Sequence, residues 1–219
     1  ILMISKTNTQ STVHRPAYTD VIGIKRFDKS GKVIGEKRFI GLFTSDAYDS
    51  DPSKIPILRE KVQAVIQKSG FEHNLHSYKR LLHILKNLPR DELFQITPED
   101  LCAMSLGILE IQDKRRIRLF ARRDIFNRFM SCLVYIPRDN FNTEIRIQVQ
   151  DILLEAFHGT EVISTPSFSS SPLARVHFIV RLDSNQYEDF NYEEIEEKIV
   201  KVARSWRDEL LEKMLERHG

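Results

Sequence analysis

Apolar and polar residues change period several times along this chain, and each change marks an element. Between residues 116 and 123, Ile117 and Leu119 alternate with Arg116 and Arg118, the two-residue period of a half-buried strand. Residues 132–136 are apolar throughout, which suits a strand covered on both faces, and Pro137 stops it. Asn142 and Thr143 are N-cap types. Ile145, Val149, Ile152 and Ala156 then recur on one helical face, and Gly159 is expected to close that helix. Val176, Phe178, Val180 and Leu182 alternate with His177, Ile179 and Arg181, so one sheet face is apolar. Asn191 is placed to cap a last helix. Its stripe of Ile195, Ile199, Val202, Trp206, Leu210 and Met214 predicts a helix over 192–217. Two helices on one face of a mainly antiparallel, four-stranded sheet give an α+β sandwich of ferredoxin type over 114–219.

The first half reads as a second sheet followed by helices. Ile1–Ile4 and Ser11–His14 are expected as short strands around a polar turn at 7–10. Residues 21–27 and 32–43 predict a hairpin through Asp28-Lys29-Ser30-Gly31, with Gly31 free to take positive φ. Gly23, Gly35 and Gly41 interrupt these strands, which suggests bulges or close backbone approach. Three helices follow. The first starts at Asp51-Pro52, carries Ile55, Leu58, Val62, Val65 and Ile66, and ends at Gly70. The second covers 77–88. The third runs from Thr97-Pro98-Glu99-Asp100, a hydroxyl cap with proline at N1 and carboxylates behind it, to about Gln112. The expected organisation is a sheet over 1–50, a helical connector over 51–113 and the sandwich over 114–219. The serines of 167–171, between Pro166 and Pro172, read as a hairpin loop.

Composition narrows the classes. In 219 residues, 41% hydrophobic and 29% charged content is ordinary for a folded protein, and a formal net charge of +2 does not favour a polyanionic partner such as nucleic acid. Cys102 and Cys132 lie far apart within apolar stretches and read as reduced, buried thiols. No apolar run approaches the roughly 20 residues that a membrane span needs, and the first residues carry no signal-peptide pattern. A cytoplasmic protein with no membrane partner is expected. The chain opens without an initiator Met and stops inside a helical pattern, as a piece of a longer chain would.

Candidate chemistry is sparse. His73-x-x-His76 is weak metal spacing with no cysteine nearby. The basic run Arg115, Arg116, Arg118, Arg122 and Arg123, with Phe120 between, suits nucleic acid or, more simply, a sheet face paired with carboxylates elsewhere. Glu193, Glu194, Glu196 and Glu197 sit in a first helical turn, where the dipole alone favours them. No G-x-S-x-G elbow and no G-x-G-x-x-G loop occurs. No catalytic, cofactor-binding or metal-binding residue is therefore expected in this chain.

Three long motifs carry a resemblance. RRDIFNRFMSCLVYIPRDNFNT resembles a signature of the large bacterial NAD-specific glutamate dehydrogenases, and HRPAYTDVIGIKRFDKSGKVIGEKRFIGLFTSDAY and IPILREKVQAVIQKSGF are similar to the same family. The resemblance implies a piece of the non-catalytic N-terminal half of such an enzyme. The first sheet would then be the end of a PAS-like module and 114–219 an ACT-like domain with a long C-terminal helix. The parent would convert L-glutamate and NAD to 2-oxoglutarate, ammonia and NADH with residues that lie elsewhere. This segment would serve regulation or assembly, with the rest of the parent chain, a homo-oligomer and an amino-acid effector as partners. In many ACT domains the turn between the first core strand and first helix binds the effector. Here that turn would offer Arg138, Asp139, Asn140, Asn142 and Thr143: amides at a helix N-terminus and Arg138 for a carboxylate, Asp139 for an ammonium. The turn lacks the glycine that amino-acid-binding ACT domains often carry there, so a structural turn with a capped helix stands beside the effector reading. The alternative for the whole chain is a stand-alone amino-acid-sensing ACT-type module.

Overall fold

Strand β1 (Leu2–Gln10) runs straight through the residues expected to turn. It pairs antiparallel with β2 (Tyr18–Phe27), and the Thr7 and Thr19 hydroxyls meet across the pair at 2.6 Å. Threonine is β-branched and suits an extended edge strand, so a polar stretch is no obstacle there. Residues 11–14, expected as a strand, form the connection instead, and His14 takes φ +65°. These findings come from a computed structural model that describes residues 2–14, 16–72, 76–169, 171–183 and 189–204. The chain divides into two units, residues 1–107 and 108–219.

In the first unit, β2 continues into β3 (Val33–Gly41) through the expected turn, giving a three-stranded antiparallel meander. Asp28 Oδ1 accepts the Ser30 and Lys32 amides, and Gly31 adopts φ +82°, a conformation that a side chain would resist. The register slips between Arg26, which pairs with Gly35, and Phe27, which pairs with Val33, so Ile34 is the extra residue of β3.

The helical part is more broken than its periodicity suggests. A short helix, α1 (Ser45–Asp49), precedes Asp51. Asp51 caps only a 3-10 turn, Pro52–Lys54, because Pro56 and Ile57 interrupt it; Ile57 sits at φ +71°. The expected helix begins after them as α2 (Leu58–Ser69) and ends at Gly70 as predicted. Next come α3 (His76–Asn87), the unforeseen α4 (Arg90–Gln95) and α5 (Pro98–Lys114), whose Thr97 hydroxyl accepts the Asp100 amide. Lys61 on α2 donates to the carbonyls of Leu93, Phe94 and Ile96 at 2.7–2.9 Å. One ammonium thus satisfies the carbonyls at the end of α4. Lys6 of β1 binds Asp20 of β2 at 2.7 Å and Asp91 of α4 at 3.1 Å, fixing that helix to the sheet.

The second unit is the expected sandwich. Strands β4 (Arg118–Arg123), β5 (Phe129–Pro137), β6 (Gly159–Ser167) and β7 (Leu173–Leu182) form an antiparallel sheet in the order β4-β5-β7-β6. Helix α6 (Thr143–Ala156) joins β5 to β6, and α7 (Tyr192–Ala203) follows β7. This is the ferredoxin-like order with the strand that usually ends the fold placed first. Val176, Phe178 and Val180 are buried with Val149, Leu153 and Ile199, and Ile145 and Ile152 pack against them as the periodicity predicts. Residues 129–136 of β5 are buried at every position, which includes the all-apolar run 132–136 and the polar Ser131.

Two boundaries differ from expectation. Helix α6 is closed by Phe157 and by His158 at φ +50°, not by Gly159. Gly159 instead opens β6, where a Cβ would run into the Val180 side chain and the Arg181 carbonyl. Glycine is there for want of space. In α7, Asn191 caps the Glu194 amide as expected, and Arg204 is extended. The predicted continuation over 205–217, with Trp206, Leu210 and Met214, lies outside the described residues.

Candidate effector-binding turn

The turn begins where Pro137 ends β5, and Arg138–Asn140 form one 3-10 turn. The Arg138 amide donates to the Pro172 carbonyl at 3.0 Å, anchoring the turn to the β6–β7 connection. Asn142 is extended, and its Oδ1 accepts the Ile145 amide at 2.8 Å, capping α6. The amides of Thr143 and Glu144, in the first turn, have no acceptor within the helix and carry the positive end of its dipole. Thr143 is exposed.

The five candidate residues share one turn but face different ways. The Arg138 guanidinium donates to the Ser169 carbonyl and lies 5.8 Å over the Phe168 ring, which also meets Phe141 edge-on. Asn140 Nδ2 donates to the Ala203 carbonyl at 3.1 Å, so this side chain caps the end of α7. Asp139 is exposed. Glu144 places a carboxylate in the first turn of α6, where it competes with an incoming anion for the same dipole. The arrangement offers two helix amides and Asp139 to a zwitterion, and links the turn physically to the point where α7 ends.

Other sequence candidates separate. Arg118 pairs with Glu196 at 3.0 Å, and the other Glu196 oxygen accepts the Leu119 amide at 2.8 Å. Arg123 lies 4.7 Å over the Phe190 ring. Glu194 pairs with Lys198. His76 begins α3, and His73 lies outside the described residues. Among the described residues no three His, Cys, Asp or Glu side chains converge as a metal set, and no helix is long and apolar enough to cross a membrane. Cys132 is buried and Cys102 half-buried, and the two do not form a disulfide. Sequence reasoning missed a contact on the second sheet face, where Ser131 and His177 Nε2 lie 2.8 Å apart. Only the register of β5 on β7 makes those two neighbours, and no local motif signals it.

Comparison with known proteins places the helical part and the second sheet. The family model described as "Glutamate dehydrogenase, ACT2 domain" matches residues 118–207, which takes in all four strands of the second sheet. The model described as "Glutamate dehydrogenase, helical motif 1" matches residues 55–114. NAD-specific glutamate dehydrogenase of Halomonas elongata is 45% identical over 219 residues, and that of Pseudomonas aeruginosa is 40% identical over 219 residues. In both cases the match takes in 100% of this chain and 14% of the relative. The Mycobacterium tuberculosis enzyme is 30% identical over 223 residues, with 96% of this chain and 14% of the relative covered. An α+β segment spanning a small part of these long relatives, with their ACT2 domain at its second unit, belongs to the family of large NAD-specific glutamate dehydrogenases.

Proposed function

We propose that this chain is a non-catalytic regulatory or assembly segment of an NAD-dependent glutamate dehydrogenase. The full-length enzyme would convert L-glutamate and NAD to 2-oxoglutarate, ammonia and NADH. The observation that carries the reading is the end-to-end match of the chain to 14% of two such enzymes, with the ACT2 match lying on the second sheet. NAD would be bound elsewhere in the parent. The β5–α6 junction, Pro137 to Asn142, contains no glycine, and a dinucleotide needs glycines where a strand turns into a helix to bring backbone to its pyrophosphate.

Regulation would act through the turn. An amino acid would place its carboxylate on the Thr143 and Glu144 amides and its ammonium on Asp139. The Asn140–Ala203 hydrogen bond, 3.1 Å long, would carry the change to the end of α7. Two measurements test the proposal. The purified 219-residue chain should form no NADH from L-glutamate and NAD; turnover that a mutation within it abolishes would overturn the non-catalytic reading. Amide NMR of the chain, titrated with the common amino acids, should shift residues 138–144 for at least one of them. No shift in that turn for any amino acid removes the effector role and leaves assembly.

A further inference from the structure

The helical part of the first unit forms an open cavity of about 540 Å³ that the turn in the second unit does not involve. Its walls are one face of α2 and one face of α3, and the 3-10 turn at Pro52 closes one end. The floor is aliphatic: Val62 and Leu85 are buried, and Ile66 and Leu82 are half-buried. At the closed end stand two opposite charges, Lys86 Nζ and Asp51 Oδ2, 2.7 Å apart. The volume lies within the range of small-molecule sites, and an apolar floor with a few convergent polar groups is their usual composition.

We infer that this cavity binds a free α-amino acid with a hydrophobic side chain. The charge pair decides the class. A ligand with one charge would meet attraction from one member of the pair and repulsion from the other. A zwitterion lies antiparallel to the pair, its carboxylate on Lys86 and its ammonium on Asp51, so both contacts are favourable. Lys86 has three N–H donors, and Asp51 Oδ2 occupies one of them. Asp51 is positioned from behind, since its Oδ1 accepts the Ser53 amide at 2.9 Å and the Ser53 hydroxyl at 2.7 Å. Lys86 first, and then these bonds, hold its carboxyl well below the usual carboxylate range, so it stays ionised. The side chain of the ligand then lies along the aliphatic floor. Gln63 and Gln67, one turn apart on α2, add carboxamides to the same wall. Lys86 is half exposed, which keeps the binding weak, on the order of millimolar.

The test is calorimetric and NMR titration of the 219-residue chain. L-Leucine and L-phenylalanine should bind saturably and shift amides of α2 and α3. Glycine, 4-methylpentanoate and 3-methylbutylamine, which lack the side chain, the ammonium and the carboxylate in turn, should each bind at least about tenfold more weakly. Lys86→Gln should weaken leucine about tenfold, and Leu82→Trp should fill the floor and abolish binding. Should Leu82→Trp fail to fold, Lys86→Gln and the analogue series on the wild-type chain decide. Asn140→Ala should leave this binding unchanged, so it stands or falls apart from the turn. Absence of a saturable shift in α2 and α3 overturns the inference. So does 4-methylpentanoate binding as well as leucine, or occupation of the groove by an amphipathic peptide but by no free amino acid.

Discussion

Glu196 of α7 accepts the backbone amide of Leu119 at 2.8 Å, so a helix side chain caps the outer edge of β4. An edge strand exposes unpaired amides that invite pairing with another chain. Here Glu196 takes one of them and reaches the Arg118 guanidinium with its other oxygen at 3.0 Å. The same contact fixes α7 against the strand that the permuted order places first. Glu196→Ala should cost about 1–2 kcal/mol in urea unfolding, nearly all of it from the buried-edge amide, because the Arg118 guanidinium is more than half exposed. Glu196→Gln keeps an acceptor for Leu119 and should cost less than half as much. Equal losses in the two variants would show that the ion pair, and not the amide, is what matters.

The sandwich was readable because its periods are clean. Val176, Phe178 and Val180 recur at every second residue and lie fully buried, and β5 is apolar at nearly every position and buried on both faces. Helix ends were less legible. Asp51-Pro52 has the composition of a helix start, yet the positive φ of Ile57 delays the helix to Leu58. Short α4 has only six residues, too few to show a period, and its partner Lys61 lies about thirty residues upstream. In the candidate turn, the residues were found by resemblance and the Asn142 cap by composition. The commitments of Arg138 to Ser169 and of Asn140 to Ala203 are tertiary contacts and have no local signature.

Lys61 gives the second prediction. Its ammonium is the shared donor for three carbonyls at the end of α4, whose residues Leu93, Phe94 and Ile96 are buried. Lys61→Met keeps the aliphatic stem and removes the charge. It should cost about 2–3 kcal/mol, because carbonyls left in a buried environment lose more than the bond itself was worth. Hydrogen exchange should quicken first at residues 93–97. A loss under about 0.5 kcal/mol would mean that water replaces the ammonium at little cost.

Two adjacent residues give opposite predictions. His158 holds φ +50°, which a side chain resists by roughly 1–2 kcal/mol; part of that is offset by the extra freedom of an unfolded glycine. His158→Gly should therefore stabilise by up to about 1 kcal/mol. Gly159→Ala should destabilise by about 1–3 kcal/mol, because its Cβ meets the Val180 side chain and the Arg181 carbonyl. Thermal unfolding of both variants checks the assignment. Stabilisation by alanine at 159 would place the helix end one residue later.

The last prediction concerns alkaline pH. Burial first, and then the Asp91 carboxylate, push the Tyr48 hydroxyl up to about 12, while Lys6 works the other way. That hydroxyl donates to Asp91 at 2.8 Å. Burial also pushes Tyr135 up to about 12, against the opposing Arg175. In an unfolded chain a tyrosine titrates near 10. Between about 10 and 12 the folded state therefore keeps protons that the unfolded state has lost, so stability falls as pH rises. Below about 10 both states are protonated and the contribution is complete. Lys6 adds to the same trend: burial lowers its pKa, but Asp91 and Asp20 outweigh that and hold it above its ordinary value. Denaturant unfolding should accordingly weaken across pH 10–12, and Tyr48→Phe should flatten the slope without abolishing it. In the folded chain, tyrosinate absorbance should show a late step near 12 that loses about half its amplitude in Tyr48→Phe and the rest in the double variant with Tyr135→Phe. An unchanged late step in Tyr48→Phe would mean that its hydroxyl is open to water and that the Lys6–Asp91 junction does not enclose it.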